Sequence, residues 1–224
     1  MQKRKLIIGA YDTALEGLWT LSSWTFGAAV VQENYVSVPG HSGYLDLSTA
    51  LTDGEPYYGS REFEAVLESS EGTRMERETR INNMINKLDG WRANITLPDD
   101  PDHYISGRVR VEKLYNNPVH ASVKITATCD PWRYNNHETV VGLIPTSTEQ
   151  STALINNGRL SVVPIIKVLS GAVTLKFSKG TETKTRTLTM GEYIDEDLYL
   201  KTGAIPITYS GSGQVTLTYR EAVL

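Results

Sequence analysis

The feature that most constrains this chain is an unbroken alternation of apolar and polar residues in two stretches near its middle. From Ala121 to Cys129, apolar residues occupy the odd positions and polar residues the even ones. The stretch from Ile105 to Glu112 alternates in the same way, with its arginines on the polar side. Successive side chains of a β-strand point to opposite faces, so this period predicts strands with one buried face. The turn residues Asn116-Asn117-Pro118 between the two stretches predict a hairpin.

One segment has the period of a helix instead. Thr73 and Glu76 predict a capping box, in which each side chain bonds to the backbone of the other residue. The apolar residues that follow recur at helical spacing and form one stripe: Ile81, Met84, Ile85 and Leu88. Gly90 lies just beyond the last turn, where a left-handed residue commonly ends a helix. We therefore predict a helix from Thr73 to about Lys87 with one side packed against a sheet.

Downstream of Asn135-Asn136, short strand-like stretches alternate with turn signals. The predicted strands are Leu160–Leu169, Val173–Phe177, Arg186–Met190 and Val215–Tyr219. The predicted turns are Asn156-Asn157-Gly158, Ser170-Gly171, Lys179-Gly180 and Gly211-Ser212-Gly213. Short strands at this spacing predict a β-sandwich. With a boundary at residue 137, the sequence predicts a mainly β protein with one domain over 1–137 and another over 138–224.

Charge and cysteine content exclude several classes of function. Residues 1–137 hold 14 Lys and Arg against 18 Asp and Glu, and residues 138–224 hold 8 of each. Neither domain has the basic excess that binds phosphate backbones, so we do not expect nucleic-acid binding. The single cysteine, Cys129, rules out an intrachain disulfide and permits assembly in a reducing cytoplasm. The apolar run from Leu6 to Tyr11 is too short for a signal peptide or a membrane span.

Two groups of acidic residues could suggest chemistry. Asp99, Asp100, Asp102 and His103 could hold a hard cation such as Ca²⁺, but the ligand spacing of a calcium loop is missing, so we prefer a solvated acidic turn. The carboxylates of Glu62, Glu64 and Glu68 could suggest a glycosidase pair. The first two of these fall on the polar face of an amphipathic strand, which is the interpretation we favour.

The remaining candidates for a reactive centre are scattered along the chain. The histidines without metal-ligand spacing are His41, His103, His120 and His137. The tryptophans, which we interpret as core or interface anchors rather than stacking platforms, are Trp19, Trp24, Trp91 and Trp132. Cys129 lies on the apolar side of its strand and is interpreted as a small core residue. We expect no catalytic residue, no metal and no cofactor.

Several segments together resemble the phage distal tail protein family, in the order in which that family has them. They are Gly43 to Ser48, Ala50 to Gly54, Tyr57 to Phe63, Leu88 to Gly90, Ile95 to Tyr104, Gly107 to Val109, Ile125 to Tyr134 and Tyr209 to Arg220. The resemblance spans nearly the whole chain. It implies an amino-terminal domain similar to tail-tube proteins, a sheet or split barrel with a flanking helix, followed by a galectin-like β-sandwich.

The resemblance also implies a structural role at the tip of a virion tail. Proteins of this family are similar in forming a hexameric ring, assembled in the host cytoplasm, that joins the tail tube protein to the tail-tip hub, the baseplate and the receptor-binding proteins. The ring leaves a channel for DNA. We hypothesise that Asp99, Asp100 or Asp102 faces this channel. For ring contacts we expect the region Gly40–Gly59, with Tyr44, Tyr57 and Tyr58, because it is rich in Gly and Tyr and lies between strands.

Three alternatives stay open at this point. The chain could be a carbohydrate-binding module that attaches the tail to the host, although residues 138–224 contain no Trp and no His to stack on a sugar. It could be another tail component of related fold, such as a tube protein. A wall-degrading enzyme is the alternative that the sequence favours least, because neither catalytic spacing nor metal ligands are found.

Overall fold

The computed structural model describes residues 4–40, 42–50, 52 and 54–224. The chain divides into two compact units between Arg133 and Tyr134, a few residues before the boundary expected at 137. Most of the described residues lie in β-strands, and two helices are present among them. The mainly β fold class is therefore confirmed.

The first unit is built on one curled sheet. Its strands and helices, in chain order, are β1 Ile7–Ile8, β2 Tyr11–Asp12, α1 Thr13–Gly17, β3 Thr20–Phe26, β4 Tyr35–Ser37, β5 Tyr44–Asp46, β6 Arg61–Ser69, α2 Arg74–Leu88, β7 Arg92–Leu97, β8 Asp100–Asn116 and β9 Ala121–Asn135. The strand order in the main sheet is β2-β1-β7-β8-β9-β6-β3, and β4 with β5 forms a separate two-stranded sheet. The main sheet curls into a half barrel. Leu21 in the edge strand β3 donates its N–H to the carbonyl of Arg4, just before β1, at 2.9 Å.

The alternating stretches form the strands that the sequence predicts. The odd-numbered residues from Ala121 to Cys129 are buried in β9, and Ile105 and Val109 are buried in β8. Asn117 N–H donates to the carbonyl of His120 at 3.0 Å and closes the turn between these two strands. The predicted hairpin is confirmed.

Helix α2 covers the core of the first unit. Thr73 caps it, and the capping box with Glu76 is present. The residues of the apolar stripe that are buried against the sheet are Ile81, Met84 and Leu88. The helix ends before Gly90, which has a φ of 79°. The sequence did not predict the short helix α1, whose first turn is capped by the carboxylate of Asp12.

The second unit contains one five-stranded sheet. Its strands are β10 Thr139–Leu143, β11 Gln150–Asn156, β12 Ile165–Lys179, β13 Glu182–Ile194 and β14 Gly203–Tyr219, and the short strand β15 Ala222–Val223 lies outside this sheet. The order is β10-β14-β12-β13, with β11 also paired to β14. β11 pairs with the first half of β14 and β10 with its second half. Side chains from both halves enclose one apolar core.

Two turns predicted for the second unit are wrong. Ser170-Gly171 lies inside β12 and Gly211-Ser212-Gly213 lies inside β14, where the two strands pass each other at a β-bulge. Gly213 has a φ of 97°, and a Cβ on it would lie 1.9 Å from the carbonyl oxygen of Ser170. β12 was therefore predicted as two shorter strands, and only the last part of β14 was predicted, because a bulge needs the same glycines as a turn. Leu160–Leu169 was also predicted too long, since β12 begins at Ile165.

Candidate assembly interface

The segment between residues 33 and 56 leaves the main sheet and returns to it. Its two ends are held together by the N–H of Gln32 on the carbonyl of Tyr57 at 2.8 Å, and by the N–H of Gly59 on the carbonyl of Val30 at 2.9 Å. Between these bonds, no described residue is buried. We call residues 33–56 the excursion. His41, Leu51 and Asp53 belong to it by sequence and lie outside the described residues, as do the first three residues of the chain.

The excursion carries a small hairpin with apolar side chains in solvent. β4 pairs with β5 so that Tyr35 lies opposite Asp46 and Ser37 opposite Tyr44. The rings of Tyr35 and Tyr44 lie 6.5 Å apart, and Tyr44 is 74% exposed. The neighbouring carboxylates of Glu33 and Asp46 raise the pKa of Tyr35. An isolated two-stranded hairpin is only marginally stable in water, so exposed aromatic residues here are typical of a contact with another chain.

Polar bonds close the base of this hairpin. The backbone N–H of Asn34 donates to the hydroxyl of Ser48 at 2.8 Å, and the N–H of Leu47 donates to the carbonyl of Asn34 at 2.8 Å. The N–H of Ser48 donates to the carboxylate of Asp46 at 2.9 Å, and the hydrogen bonds from Ser48 lower the pKa of that carboxyl group. These bonds fix the position of the open end of the hairpin. They bury no apolar surface.

The three tyrosines expected at ring contacts differ in exposure. Tyr44 and Tyr57 are exposed, with Tyr57 at 59%. Tyr58 is 8% exposed, and its ring meets that of Trp132 edge-on at a centroid distance of 5.5 Å. Its backbone also forms a β-bridge with Val31. Because Tyr58 is packed inside the first unit, we correct its role to a core residue at the base of the excursion.

In the acidic turn, Asp99 and Asp100 form ion pairs with other residues of the chain. Asp99 bonds to Arg4 at 3.0 Å. Asp100 begins β8 and accepts a bond from Arg133 at 3.0 Å, and its second carboxylate oxygen lies 2.7 Å from Nδ1 of His103. Asp102 is exposed. Two of the three carboxylates expected to face a channel therefore have a cationic partner in the same chain.

The other residues considered for chemistry have structural environments. Glu64 pairs with Lys124 at 2.8 Å on the exposed face of β6, and Glu62 accepts a bond from the hydroxyl of Thr128 at 3.1 Å. Burial raises the pKa of Cys129 to about 12, so the thiol stays protonated at neutral pH. Among the described residues, no group of three or more His, Cys, Asp or Glu side chains is placed to hold a metal ion.

The tryptophans fall into two groups. Trp19 is fully buried and Trp24 packs against the core of the first unit. Trp91, the residue before β7, is 68% exposed. The interpretation as core residues therefore holds for Trp19 and Trp24, and Trp91 is available to an interface. In the described ranges, no helix is both long enough and apolar enough to span a bilayer.

Two features of the first unit were not predicted: the full extent of the excursion and the burial of Arg77. The excursion had a signal, because no Lys or Arg occurs from residue 6 to residue 60. The buried Arg77 also had one: it lies four residues before Ile81, on the apolar stripe of α2. Both signals are departures from an ordinary charge pattern rather than known motifs.

Comparison with known proteins identifies the fold. No family model matches the chain, and no curated protein matches it either. Among solved structures, the crystal structure of the Dit protein (gp 19.1) of SPP1 matches with a TM-score of 0.71 and 15% sequence identity, covering 100% of each chain. That protein is described as a paradigm of the hub adsorption apparatus in phages that infect Gram-positive bacteria. The chain therefore has the fold of a phage tail hub protein. In particular, its fold is similar to that of SPP1 Dit over the full length of both chains.

Proposed function

We propose that this chain is the distal tail protein of a phage of Gram-positive bacteria, a structural component of the hub at the tip of the virion tail. The observation that carries the proposal is the similarity in fold to SPP1 Dit over both units, with neither chain left unmatched. The resemblance of the separate sequence segments, from Gly43 to Arg220, points to the same family. No reacting centre is needed for this role.

In this proposal six copies form a closed ring through their first units. The excursion supplies the contact, because it places Tyr35, Tyr44 and Leu45 in solvent without a core of its own. Tyr57 lies at its base and completes the exposed aromatic surface. Tail tube protein binds one side of the ring, and the tail-tip, baseplate and receptor-binding proteins bind the other. Of the acidic turn, Asp102 is retained as the carboxylate that faces the channel, since Asp99 and Asp100 are paired.

Two measurements on the full-length protein test this proposal. Native mass spectrometry and negative-stain imaging should show closed rings of one size, with six copies each. A protein that stays monomeric at concentrations of tens of micromolar contradicts the ring, and open polymers of variable length favour a tube protein instead. An antibody against the chain should label the tail end distal to the capsid on intact particles. Labelling along the whole tail contradicts the assignment to the tip.

A further inference from the structure

Three guanidinium groups lie close together on the solvent face of β7 and β8. Arg92 and Arg108 are directly opposite each other in the register of these strands, and Arg110 follows two residues later on the same face. All three are exposed. We call Arg92, Arg108 and Arg110 the arginine patch.

The arginine patch departs from what the fold needs. Like charges directly opposite each other on neighbouring strands destabilise a sheet. Arg92 is compensated by an ion pair with Asp130, and Arg108 donates to the carbonyl of Gly90 at 2.6 Å. Within the part of the chain that the structure describes, the side chain of Arg110 makes no hydrogen bond or ion pair. The like charges of the patch lower the stability of the sheet and gain nothing for the fold itself. Such an arrangement is expected where a partner binds.

The patch is too small to bind a phosphate backbone. Three cations cannot supply the phosphate contacts of a nucleic-acid site, and the whole chain carries a net charge of −4. The carboxylate of Asp130 next to Arg92, and Glu112 two residues beyond Arg110, further lower the local potential. The chemistry fits a protein surface with a few carboxylates and apolar side chains.

The excursion is such a surface. Its described acidic residues are Glu33, Asp46 and Glu55, and its sequence has no Lys or Arg. Within the described residues, Glu33 and Asp46 form no ion pair with a Lys or Arg. Trp91 is exposed in the residue next to Arg92, and it offers an apolar contact to the exposed Tyr44 and Leu45 of the hairpin. Charge and apolarity are therefore complementary between two surfaces of one unit.

We infer that the arginine patch on one copy of this chain receives the acidic excursion of a second copy. The inference rests on the proposed ring, and it names the second surface of each contact. A cyclic ring needs two different and complementary surfaces on every subunit, one for each neighbour. The excursion is the first surface, and the arginine patch with Trp91 is the second.

Charge reversal tests the pairing directly. Arg110→Glu and Glu33→Arg should each raise the protein concentration at which half the chains are in rings by about tenfold or more. The double variant, with both charges exchanged, should return that concentration to within about threefold of wild type. Rings of the wild type should also dissociate more readily as salt is raised, because exposed ion pairs are screened. Arg74→Glu, an exposed arginine at the start of α2, is the matched control and should leave the rings unchanged.

Each outcome decides the inference. Tryptophan fluorescence must show that every variant is folded, and a variant that is unfolded is replaced by Arg110→Gln or Glu33→Gln, for which a smaller loss of rings is expected. Intact rings in Arg110→Glu, or no rescue in the double variant, overturn the inference and leave the proposed ring standing. A monomeric wild type overturns both. Binding of a fluorescent DNA duplex that is lost in Arg110→Glu, with rings unaffected, assigns the patch to nucleic acid instead.

Discussion

Arg77 lies on the buried face of helix α2, and its guanidinium group donates a hydrogen bond at 2.7 Å to the carbonyl oxygen of Asn117 in the β8–β9 turn. It also donates to the carbonyls of Pro118 at 3.0 Å and Gly72 at 2.5 Å. Arg77 is 1% exposed, and none of these three carbonyl partners carries a charge. One side chain therefore holds the start of the helix and the tip of a hairpin in a fixed relation.

Arg77→Ala should destabilise the first unit by about 3 kcal/mol, because hydrogen bonds to a charged group are strong and the buried carbonyls would lose their donor. All four tryptophans precede residue 133, so urea unfolding followed by tryptophan fluorescence reports on this unit. Arg74→Ala, an exposed arginine in the same helix, should change stability by less than about 0.5 kcal/mol. Equal midpoints for the two variants would refute the role of Arg77.

Thr73→Ala should cost about 1 kcal/mol by removing the cap of α2. The backbone N–H and then the hydroxyl of Thr73 lower the pKa of Glu76 by bonding to its carboxylate. A lowered pKa in the folded state contributes stability above the unfolded pKa of about 4.3, and this contribution is lost as pH falls through the folded value.

The stability difference between wild type and Glu76→Gln, measured by urea unfolding from pH 7 to pH 3, should therefore shrink on acidification. A difference that is constant with pH would contradict the capping contribution. Thr79→Ala, which removes an exposed hydroxyl bonded to the carbonyl of Met75, is the control in the same helix and should not show this pH dependence.

Gly213→Ala should destabilise the second unit by about 2 kcal/mol or more, because the new Cβ meets the carbonyl oxygen of Ser170 and the backbone cannot move aside. Gly180→Ala is the matched control: Gly180 has a φ of 62° and nothing lies within 4 Å of its Cβ position. It should cost only about 1 kcal/mol of backbone strain. Hydrogen exchange measured by mass spectrometry separates the second unit from the first, and equal protection of β12 in both variants would argue against the bulge.

The single variants Tyr44→Ser and Tyr57→Ser should each weaken the rings without unfolding the chain, because both side chains are exposed in the single copy. Deletion of the excursion, residues 33–56, should leave a folded monomer, because none of its described residues is buried. Tyr58→Ser should instead lower the stability of the first unit, because its ring packs on Trp132. The measurements are native mass spectrometry and urea unfolding. Intact rings after the deletion would remove the excursion from the interface.

The sequence predicts the parts of the fold in which local pattern and tertiary environment agree. The alternation from Ala121 to Cys129 and the stripe from Ile81 to Leu88 both arise from a single core on one side of the element, so they are visible without a structure. The bulge at Gly213 is not, because glycine with positive φ serves a turn and a bulge equally well. The burial of Arg77 could not be predicted for another reason. A charged side chain is expected to be exposed to solvent unless the carbonyl groups that accept its hydrogen bonds are known.

The candidate interface was predictable in position but not in detail. Gly and Tyr content predicts ring contacts in Gly40–Gly59, which overlaps the excursion over residues 40–56, and the structure adds which of the described residues there reach solvent. Tyr57 and Tyr58 are adjacent and chemically identical, yet one is exposed and the other is buried, because the β-bridge from Val31 sets which side of the chain faces the core. For the acidic turn, the sequence does not reveal the ion-pair partners. Its charges look unpaired in the sequence, whereas their partners, Arg4 and Arg133, are distant along the chain.

The pairing of β6 with β9 has a consequence for synthesis. Glu62 and Thr128 are cross-strand neighbours that are 66 positions apart in the chain. A ribosome adding about 5–20 residues per second leaves β6 without this partner for several seconds while the intervening residues emerge. The nascent edge of β6 would be open to the same strand on a neighbouring ribosome during that time. Glutamates on its outward face repel such an encounter by like charge, so they protect the chain before it has folded.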